Sequence, residues 1–359
     1  MTVSVTRTGP VIAATTDRRR LTTRWFVTAV SVALFVAAVT LVSGGLRALG
    51  APPLPQLVGP VTGSVAALAT GLVATLLFGS STITTALTVA VLASGAIGID
   101  QAIWIVLGSG LGTSLPCIAA AARFAGRPAE SARALTAATV HDLQQLLALA
   151  VLAPLELCFH LFARCAALVA GGWPAVTGHT PAASAAIASA PASTGQLPVV
   201  PARLASASAA LATSRFLAVT GILAGVLLCV VAVRTAGHFL QIFMVGRSRP
   251  LLVRALGARP LRALGAGAGF GLFTQSPAAA DVMLVRFAGA GTVTPAQVWW
   301  VTLGTNLGVL PAAVGATLIA GGATSSPAVQ LCVALVVYQA VSALLLARAP
   351  GLHPLVLRT

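Results

Sequence analysis

The stretch QAIWIVLGSGLG at residues 101–112 returns as QVWWVTLGTNLG at residues 297–308, a shift of 196 positions (297 against 101). Shared Gly and Leu are common in so apolar a chain, but an aligned Gln and an aligned Trp are not. The same shift, without a gap, pairs further residues on both sides: Gly71 with Gly267, Ser80 with Ser276, Gly95 with Gly291, Gln101 with Gln297 and Trp104 with Trp300. The sequence therefore predicts two copies of one structural unit.

The composition indicates that these units lie in a bilayer. Hydrophobic residues make up 57% of the 359 residues, charged residues only 8%, and the mean hydropathy is +0.97. A helix of about 20 apolar residues crosses the hydrocarbon core. Six stretches have about this length: 25–42, 102–122, 135–155, 216–233, 298–320 and 328–347. We interpret the first as a retained helix, because no cleavage site of small residues follows it.

The net charge of +15 comes from arginine, and its placement indicates topology. Such a charge would favour nucleic-acid binding in a soluble protein. Here the arginines gather at residues 7–24, 123–133, 247–262 and at the C-terminus, which the positive-inside rule assigns to the cytoplasm. We expect a multi-pass protein of the cell membrane with both termini cytoplasmic and no nucleic-acid partner. The absence of lysine beside abundant alanine suggests a bacterial source.

The repeat and the arginine loops together predict the architecture. Each half reads as helix, hairpin, helix, helix, and three full crossings per half turn the second half over. The fold class is an all-α polytopic membrane protein of two inverted-topology repeats, each with a re-entrant helical hairpin. The predicted segments are a cytoplasmic tail (1–20), the first repeat (21–156), a helix end with an extracytoplasmic linker rich in Ala, Pro and Ser (157–214), the second repeat (215–348) and a second tail (349–359).

The predicted hairpin tips carry the polar residues. The first tip reads GSSTITT at residues 79–85, with five hydroxyls, and the second reads TQSP at residues 274–277. Hydroxyls and free N–H groups at such a break bind an anion, and carbonyl oxygens bind a small cation. The alternative is that each hydroxyl bonds back to its own helix and bends it.

A second break follows in each half. Residues 108–114 read GSGLGTS and residues 304–308 read GTNLG. One interpretation is an unwound helix that exposes backbone dipoles to an ion. The other is close packing of helices over small residues.

A hydroxyl-rich hairpin tip followed by a Gly-x-x-x-Gly-Thr segment, both duplicated, resembles the sodium-dependent phosphate cotransporter family (type II), in a member with degenerate motifs. The resemblance implies uptake of inorganic phosphate, or a similar oxyanion, with Na⁺. It places substrate binding on residues aligned with the family's Gln-Ser-Ser-Ser motifs, namely Ser80, Ser81, Thr82, Gln275 and Ser276. It places ion binding on Thr113, Ser114, Asn306 and Gln275.

Two pairs of ionisable residues have open roles. His141 and Asp142 begin a predicted helix and provide either a proton path or a solvated or helix-capping pair near the cytoplasmic interface. Asp281 and Arg286 form either an internal ion pair or a sensor for the substrate anion. Ionisable residues at membrane depth are functional candidates by default.

The class of function follows from these patterns. Hydrolase, protease and nucleotide-binding motifs are absent from the sequence, so we expect no enzyme and no cofactor beyond Na⁺ as a coupling ion. The five cysteines are scattered and indicate neither a metal site nor disulfides. A secondary transporter working by alternating access fits best. A passive channel or exporter, a non-transporting membrane partner, and assembly into a homo-oligomer all stay open.

Overall fold

A computed structural model describes residues 18–49, 63–169, 211, 214–247, 260–274, 276–321 and 327–348. Within these ranges the regular structure is helical. The first half contains seven helices: α1 (Arg18–Leu49), α2 (Ser64–Phe78), α3 (Ser81–Ala93), α4 (Ile99–Leu111), α5 (Ser114–Ala122), α6 (Pro128–Phe159) and α7 (Leu161–Val169). Helix α7 occupies part of the range that the sequence assigned to the linker.

The second half repeats six of the seven helices of the first in the same order, and α7 has no counterpart among the described residues. Its helices are α8 (Arg215–Arg247), α9 (Pro260–Thr274), α10 (Pro277–Gly289), α11 (Pro295–Gly308), α12 (Leu310–Gly321) and α13 (Pro327–Ala347). A shift of 196 residues places α2 and α3 on α9 and α10 without a change at either end. The internal duplication therefore governs the local structure as well as the residue types.

Five helical segments are long and apolar enough to cross a membrane: Ile99–Ala122, Pro128–Phe159, Arg215–Thr235, Pro295–Gly315 and Pro327–Ala347. They match five of the six predicted crossings. The sixth, residues 25–42, lies within α1, where the segment Ala33–Leu49 is apolar but shorter. Together with the all-helical structure, these segments confirm an all-α multi-pass membrane protein.

The hairpin helices are too short to cross the hydrocarbon core. Helices α2 and α3 have 15 and 13 residues, so each is roughly 20 Å long, against about 30 Å of hydrocarbon. The turn between them depends on Gly79, which has a positive φ of 67° and whose N–H donates to the Thr75 carbonyl. Glycine tolerates this left-handed conformation, so the first helix ends there and the second can begin at once.

Each hairpin packs closely against the broken helix that follows it. A Cβ atom added to Gly71 would lie 1.7 Å from the Ile105 carbonyl oxygen, and one added to Gly267 would lie 2.1 Å from the equivalent Val301 oxygen. The contact also recurs in the opposite direction, at Gly108 with Leu68 and at Gly304 with Leu264. These glycines let two helix backbones touch, which confirms the packing interpretation for Gly108 and Gly304.

The outer surface is apolar, as expected for a surface that faces lipid. Leu77, Phe216 and Leu227 are 75%, 77% and 65% exposed. Large aliphatic and aromatic side chains at this exposure would promote aggregation in water, whereas lipid chains solvate them at no cost.

Arginines cap the C-terminal ends of three hairpin helices. Nη2 of Arg234 donates to the carbonyl of Phe78, that of Arg47 to Ala93 and that of Arg133 to Gly289. Each acceptor belongs to the last residue of its helix, where carbonyls lack partners and the helix dipole is negative. These arginines therefore also act as caps, a role that the positive-inside rule does not predict.

The two halves interlock through their hairpins. Helix α3 packs against α12 and α13, and α10 packs against the equivalent α5 and α6, while α1 packs along α8. Both hairpin tips therefore lie between the halves, where side chains from the two copies meet.

We expect Gly267→Ala to destabilise the protein by about 1–3 kcal/mol, because its Cβ would overlap a backbone oxygen that cannot move independently. The measurement is the melting temperature in detergent, followed by size-exclusion chromatography of heated samples. Gly265→Ala is the matched control on the same helix, since a Cβ there meets no atom within 4 Å. Equal melting temperatures for the two variants would contradict the close contact.

Candidate functional site

An internal cavity of about 60 Å³ lies where the two halves meet. This volume holds several water-sized groups, since one water needs roughly 10–15 Å³ measured in this way. The first half contributes Ser81, Thr82, Thr85, Val106, Leu107, Ser109, Gly110, Thr113, His141 and Gln145; the second contributes Pro277, Asn306, Val309, Leu310, Ala313, Leu335, Tyr338 and Gln339. The cavity is thus polar on the side of the first half and mixed on the other.

The first hairpin tip supplies hydroxyls to this cavity. Ser81, Thr82 and Thr85 line it from the first turns of α3. Ser80 precedes them and is 4% exposed, and its Oγ has no hydrogen-bond partner among the described residues. A buried hydroxyl without a partner is rare in proteins and is often completed by a ligand or water. Thr84 differs from its neighbours, because its Oγ1 lies 2.8 Å from Thr75 Oγ1 within the hairpin itself.

The second hairpin tip reaches the cavity at Pro277, the first residue of α10. Ser276 is buried and is the N-cap residue of α10, because its Oγ accepts a hydrogen bond of 3.4 Å from the N–H of Ala279. The equivalent Ser80 makes no such bond. Gln275, the other residue predicted at this tip, lies outside the described residues.

Two helices begin at the cavity, α3 and α10, one from each half. The first N–H groups of a helix lack partners within it, and the helix dipole makes this end positive. An anion in the cavity would therefore meet two favourable helix ends together with the hydroxyls of the first tip.

The second break in each half also lies at the cavity. Helix α4 ends at Leu111 and α5 begins at Ser114; α11 ends at Gly308 and α12 begins at Leu310. Thr113 and Asn306 line the cavity, whereas Ser114 is half-buried and its Oγ donates to the Leu111 carbonyl at 3.0 Å. The structure thus brings Thr113 and Asn306, from different halves, to one site.

A chain of buried polar side chains runs from the cavity wall into the interface between the halves. Thr113 Oγ1 lies 2.6 Å from His141 Nε2, and His141 Nδ1 lies 3.0 Å from Asp281 Oδ2. Thr302 donates to Asp281 Oδ1 at 3.2 Å. The side chains of His141 and Asp281 are 1% and 2% exposed, so their contact is fully buried between the halves.

These buried polar contacts show where the ionisable residues His141, Asp142, Asp281 and Arg286 lie. The hypothesis of a solvated or helix-capping His141 is wrong. His141 lies in the middle of α6, and its buried side chain contacts Asp281 of α10. Asp281 pairs with His141, while the Arg286 side chain is exposed on the same helix. An Asp281–Arg286 ion pair is not formed in the part of the chain that the structure describes. Asp142 is half-buried beside His141.

Sequence reasoning missed three polar residues of the cavity: Gln145, Tyr338 and Gln339. Gln145 was detectable, because it lies one helical turn after His141 and so shares its face of α6. Tyr338 and Gln339 belong to α13, whose apolar composition hides which face meets the other half.

The comparisons with known proteins identify the family of the chain. The family model described as Na⁺/Pi-cotransporter matches residues 34–153 and 226–350, which together are more than half of the chain. The chain belongs to the Na⁺/Pi-cotransporter family. Its family is therefore one of transporters, and the two matched regions fall on the two halves of the structure.

Individual relatives match a smaller region. Over 92 residues the chain is 39% identical to the sodium-dependent phosphate transport protein 2A of Ovis aries, and equally so to those of Rattus norvegicus and Mus musculus. The match covers 26% of this chain and 14% of each relative, so it spans about a seventh of their length. No solved structure matches the chain.

We expect Gln144→Leu to lower the melting temperature. Gln144 Nε2 donates to the Trp299 carbonyl at 2.8 Å, which links α6 to α11 across the two halves. Losing this donor removes a buried hydrogen bond between the halves, at a net cost of about 0.5–1.5 kcal/mol. Thr139→Val is the control on the same helix, because its exposed hydroxyl bonds only to the Thr136 carbonyl one turn before. A melting temperature unchanged by Gln144→Leu would rule out the link.

Proposed function

We propose that this protein is a secondary active transporter that takes up inorganic phosphate, or a similar oxyanion, together with Na⁺ by alternating access. One observation carries the proposal: a hydroxyl-lined cavity lies between the two halves, where helices α3 and α10 begin. Family membership and the partial likeness to sodium-dependent phosphate transport proteins support the choice of substrate and coupling ion.

The oxyanion would bind at the hairpin tips, through Ser80, Ser81 and Thr82 from the first and Gln275 and Ser276 from the second. Removing a phosphate ion from water is costly, so the site must replace its hydrogen bonds. Hydroxyl donors and the positive ends of two helices offer that replacement. The support is strongest for the first tip, where Ser81 and Thr82 line the cavity and the buried Ser80 hydroxyl has no partner among the described residues.

Sodium would bind beside the anion, through side-chain oxygens of Thr113, Ser114, Asn306 and Gln275. A small hard cation is held by oxygen ligands, and broken helices with exposed carbonyls are the usual place for it in transporters. Thr113 and Asn306 face the cavity from opposite halves, which supports a site that spans both. The positive charge of Na⁺ would also offset the charge of the anion.

The two halves would act as inverted repeats, about residues 21–156 and 215–348, in the cell membrane with both termini cytoplasmic. Each hairpin helix is too short to span, which supports re-entrant hairpins whose tips end near the midplane. The exchanged packing, α3 on the second half and α10 on the first, supports a mechanism in which the halves swap conformations. Such an exchange opens the same cavity to each side in turn.

The inverted arrangement predicts opposite sidedness for equivalent loops. Gly98 and Thr294 are exposed and precede α4 and α11 at equivalent positions. In a background with the five native cysteines replaced by alanine, Gly98→Cys should react with a membrane-impermeant maleimide from outside intact cells. Thr294→Cys should react only in inverted membrane vesicles. Reaction of both from the same side would exclude inversion.

Phosphate uptake into proteoliposomes is the test of function. We expect an inward Na⁺ gradient to drive uptake, and Ser80→Ala with Gln275→Ala to raise the KM for phosphate about 10- to 100-fold. Hydrogen bonds to a charged group contribute about 1.5–3 kcal/mol. Ser94→Ala is the control at the far end of α3, where the hydroxyl donates to the Val91 carbonyl at 2.6 Å.

The other outcomes separate the remaining hypotheses. Phosphate uptake that does not depend on the Na⁺ gradient would favour a passive channel or an exporter of the same fold. A folded, correctly inserted protein that takes up no phosphate under either condition would overturn the proposed function and favour another substrate or a non-transporting role.

A further inference from the structure

The buried polar chain at His141 has no counterpart in the other half of the protein. Shifting its residues by 196 positions replaces Thr113 with Val309, His141 with Val337 and Thr302 with Val106. Asp281 corresponds to Thr85. The equivalent interface exists, because α3 packs against α13 as α10 packs against α6. At these four positions one interface is polar, and its duplicate has three valines and a threonine.

This difference shows that the duplicated fold does not require the ionic contact. Burying a carboxylate and an imidazole costs desolvation energy, and replacing such a pair by apolar residues is often neutral or stabilising. The protein contains such a replacement in its own second interface. A charged pair kept at 1% and 2% exposure, where valine and threonine also suffice, points to a role beyond packing.

The geometry indicates what that role is. Thr113 Oγ1 lies 2.8 Å from the Gly110 carbonyl oxygen and 2.6 Å from His141 Nε2, so these two contacts orient the hydroxyl. Asp281, which accepts a hydrogen bond from Thr302, contacts His141 from the second half. Thr113 and His141 line the cavity, whereas Asp281 does not. A residue of the second hairpin therefore determines the orientation of a hydroxyl in the cavity wall of the first half.

We propose that Asp281 and His141 are positioning residues, which fix the Thr113 hydroxyl on the cavity wall and thereby set the affinity for Na⁺. The inference rests on the proposed function, in which Thr113 is a ligand of the coupling ion. It also makes the ion site depend on contact between the two halves, because Asp281 reaches it only when α10 lies against α6.

The second interface supplies the substitutions that test this role. His141→Val alone should lower the melting temperature, because it removes the His141 partner of Asp281 and leaves that buried carboxylate with the Thr302 hydroxyl. The double variant His141→Val with Asp281→Thr copies the residues Val337 and Thr85, and should recover most of that loss. Its Na⁺ concentration for half-maximal phosphate uptake should stay about tenfold above the wild-type value, the effect of one lost hydrogen bond.

This split between stability and affinity separates positioning from a structural role. A double variant with wild-type stability and wild-type Na⁺ half-saturation would overturn the proposal. Asp281→Asn keeps the shape but not the negative charge, and should also raise the Na⁺ half-saturation, since an amide oxygen is a weaker partner for His141 than a carboxylate. Gln144→Leu, at the same interface, should lower stability without changing the Na⁺ half-saturation.

A readout without transport keeps the inference separate from the proposed function. Ring-nitrogen NMR of ¹⁵N-histidine-labelled protein, with the His141 signals assigned by His141→Gln, reports the surroundings of both ring nitrogens. Asp281→Thr should shift these signals, and unchanged signals would overturn the proposal. A wild-type protein that takes up no phosphate would contradict the proposed function, and the NMR result would then decide whether Asp281 orients His141.

Discussion

Helices that end within the membrane protein must have their terminal backbone groups satisfied by protein, because lipid offers no hydrogen bonds. Much of the structure follows from this constraint. Glycines let each hairpin lie directly on the backbone of the broken helix behind it, and arginines from other helices bond to the last carbonyls of α2, α3 and α10. The ends that remain, the starts of α3 and α10, are then gathered around one cavity.

The two hairpin tips share a backbone and differ in how their polar groups are used. Ser276 caps its own helix, so its oxygen is already engaged. Ser80, at the equivalent position, is buried without a partner in the described structure. The two tips thus have similar backbones but different side chains. The second tip has a polar group that bonds to its own helix, and the first has hydroxyls that line the cavity. A degenerate motif in one copy is compatible with a retained function when the other copy carries the ligands.

A similar division holds for the interfaces between the halves. The contact of α10 with α6 contains the Asp281–His141 pair, whereas the contact of α3 with α13 has threonine and valine at the same positions. Two interfaces with equal composition would stabilise two exchanged conformations equally. In the proposed alternating access, a buried Asp–His contact in only one of them would make the conformations unequal, and it would connect the state of the interface to the cavity wall.

The amino-acid sequence by itself determined the membrane environment, the duplication and the approximate place of five crossings, because these depend on local composition and on a shift that needs no three-dimensional information. Through the resemblance of its motifs it also predicted a set of site residues that includes Ser81, Thr82, Thr113 and Asn306. The structure places all four on one cavity.

Only the tertiary structure decided which of the other polar residues meet. Asp281 could have paired with Arg286 on its own helix, and instead it contacts His141, 140 positions away in the chain. Helical periodicity relates residues a few positions apart, but it does not encode which face of α10 lies against α6. That contact follows from the packing of two interlocked halves, and it turns separate candidate residues into one connected chain.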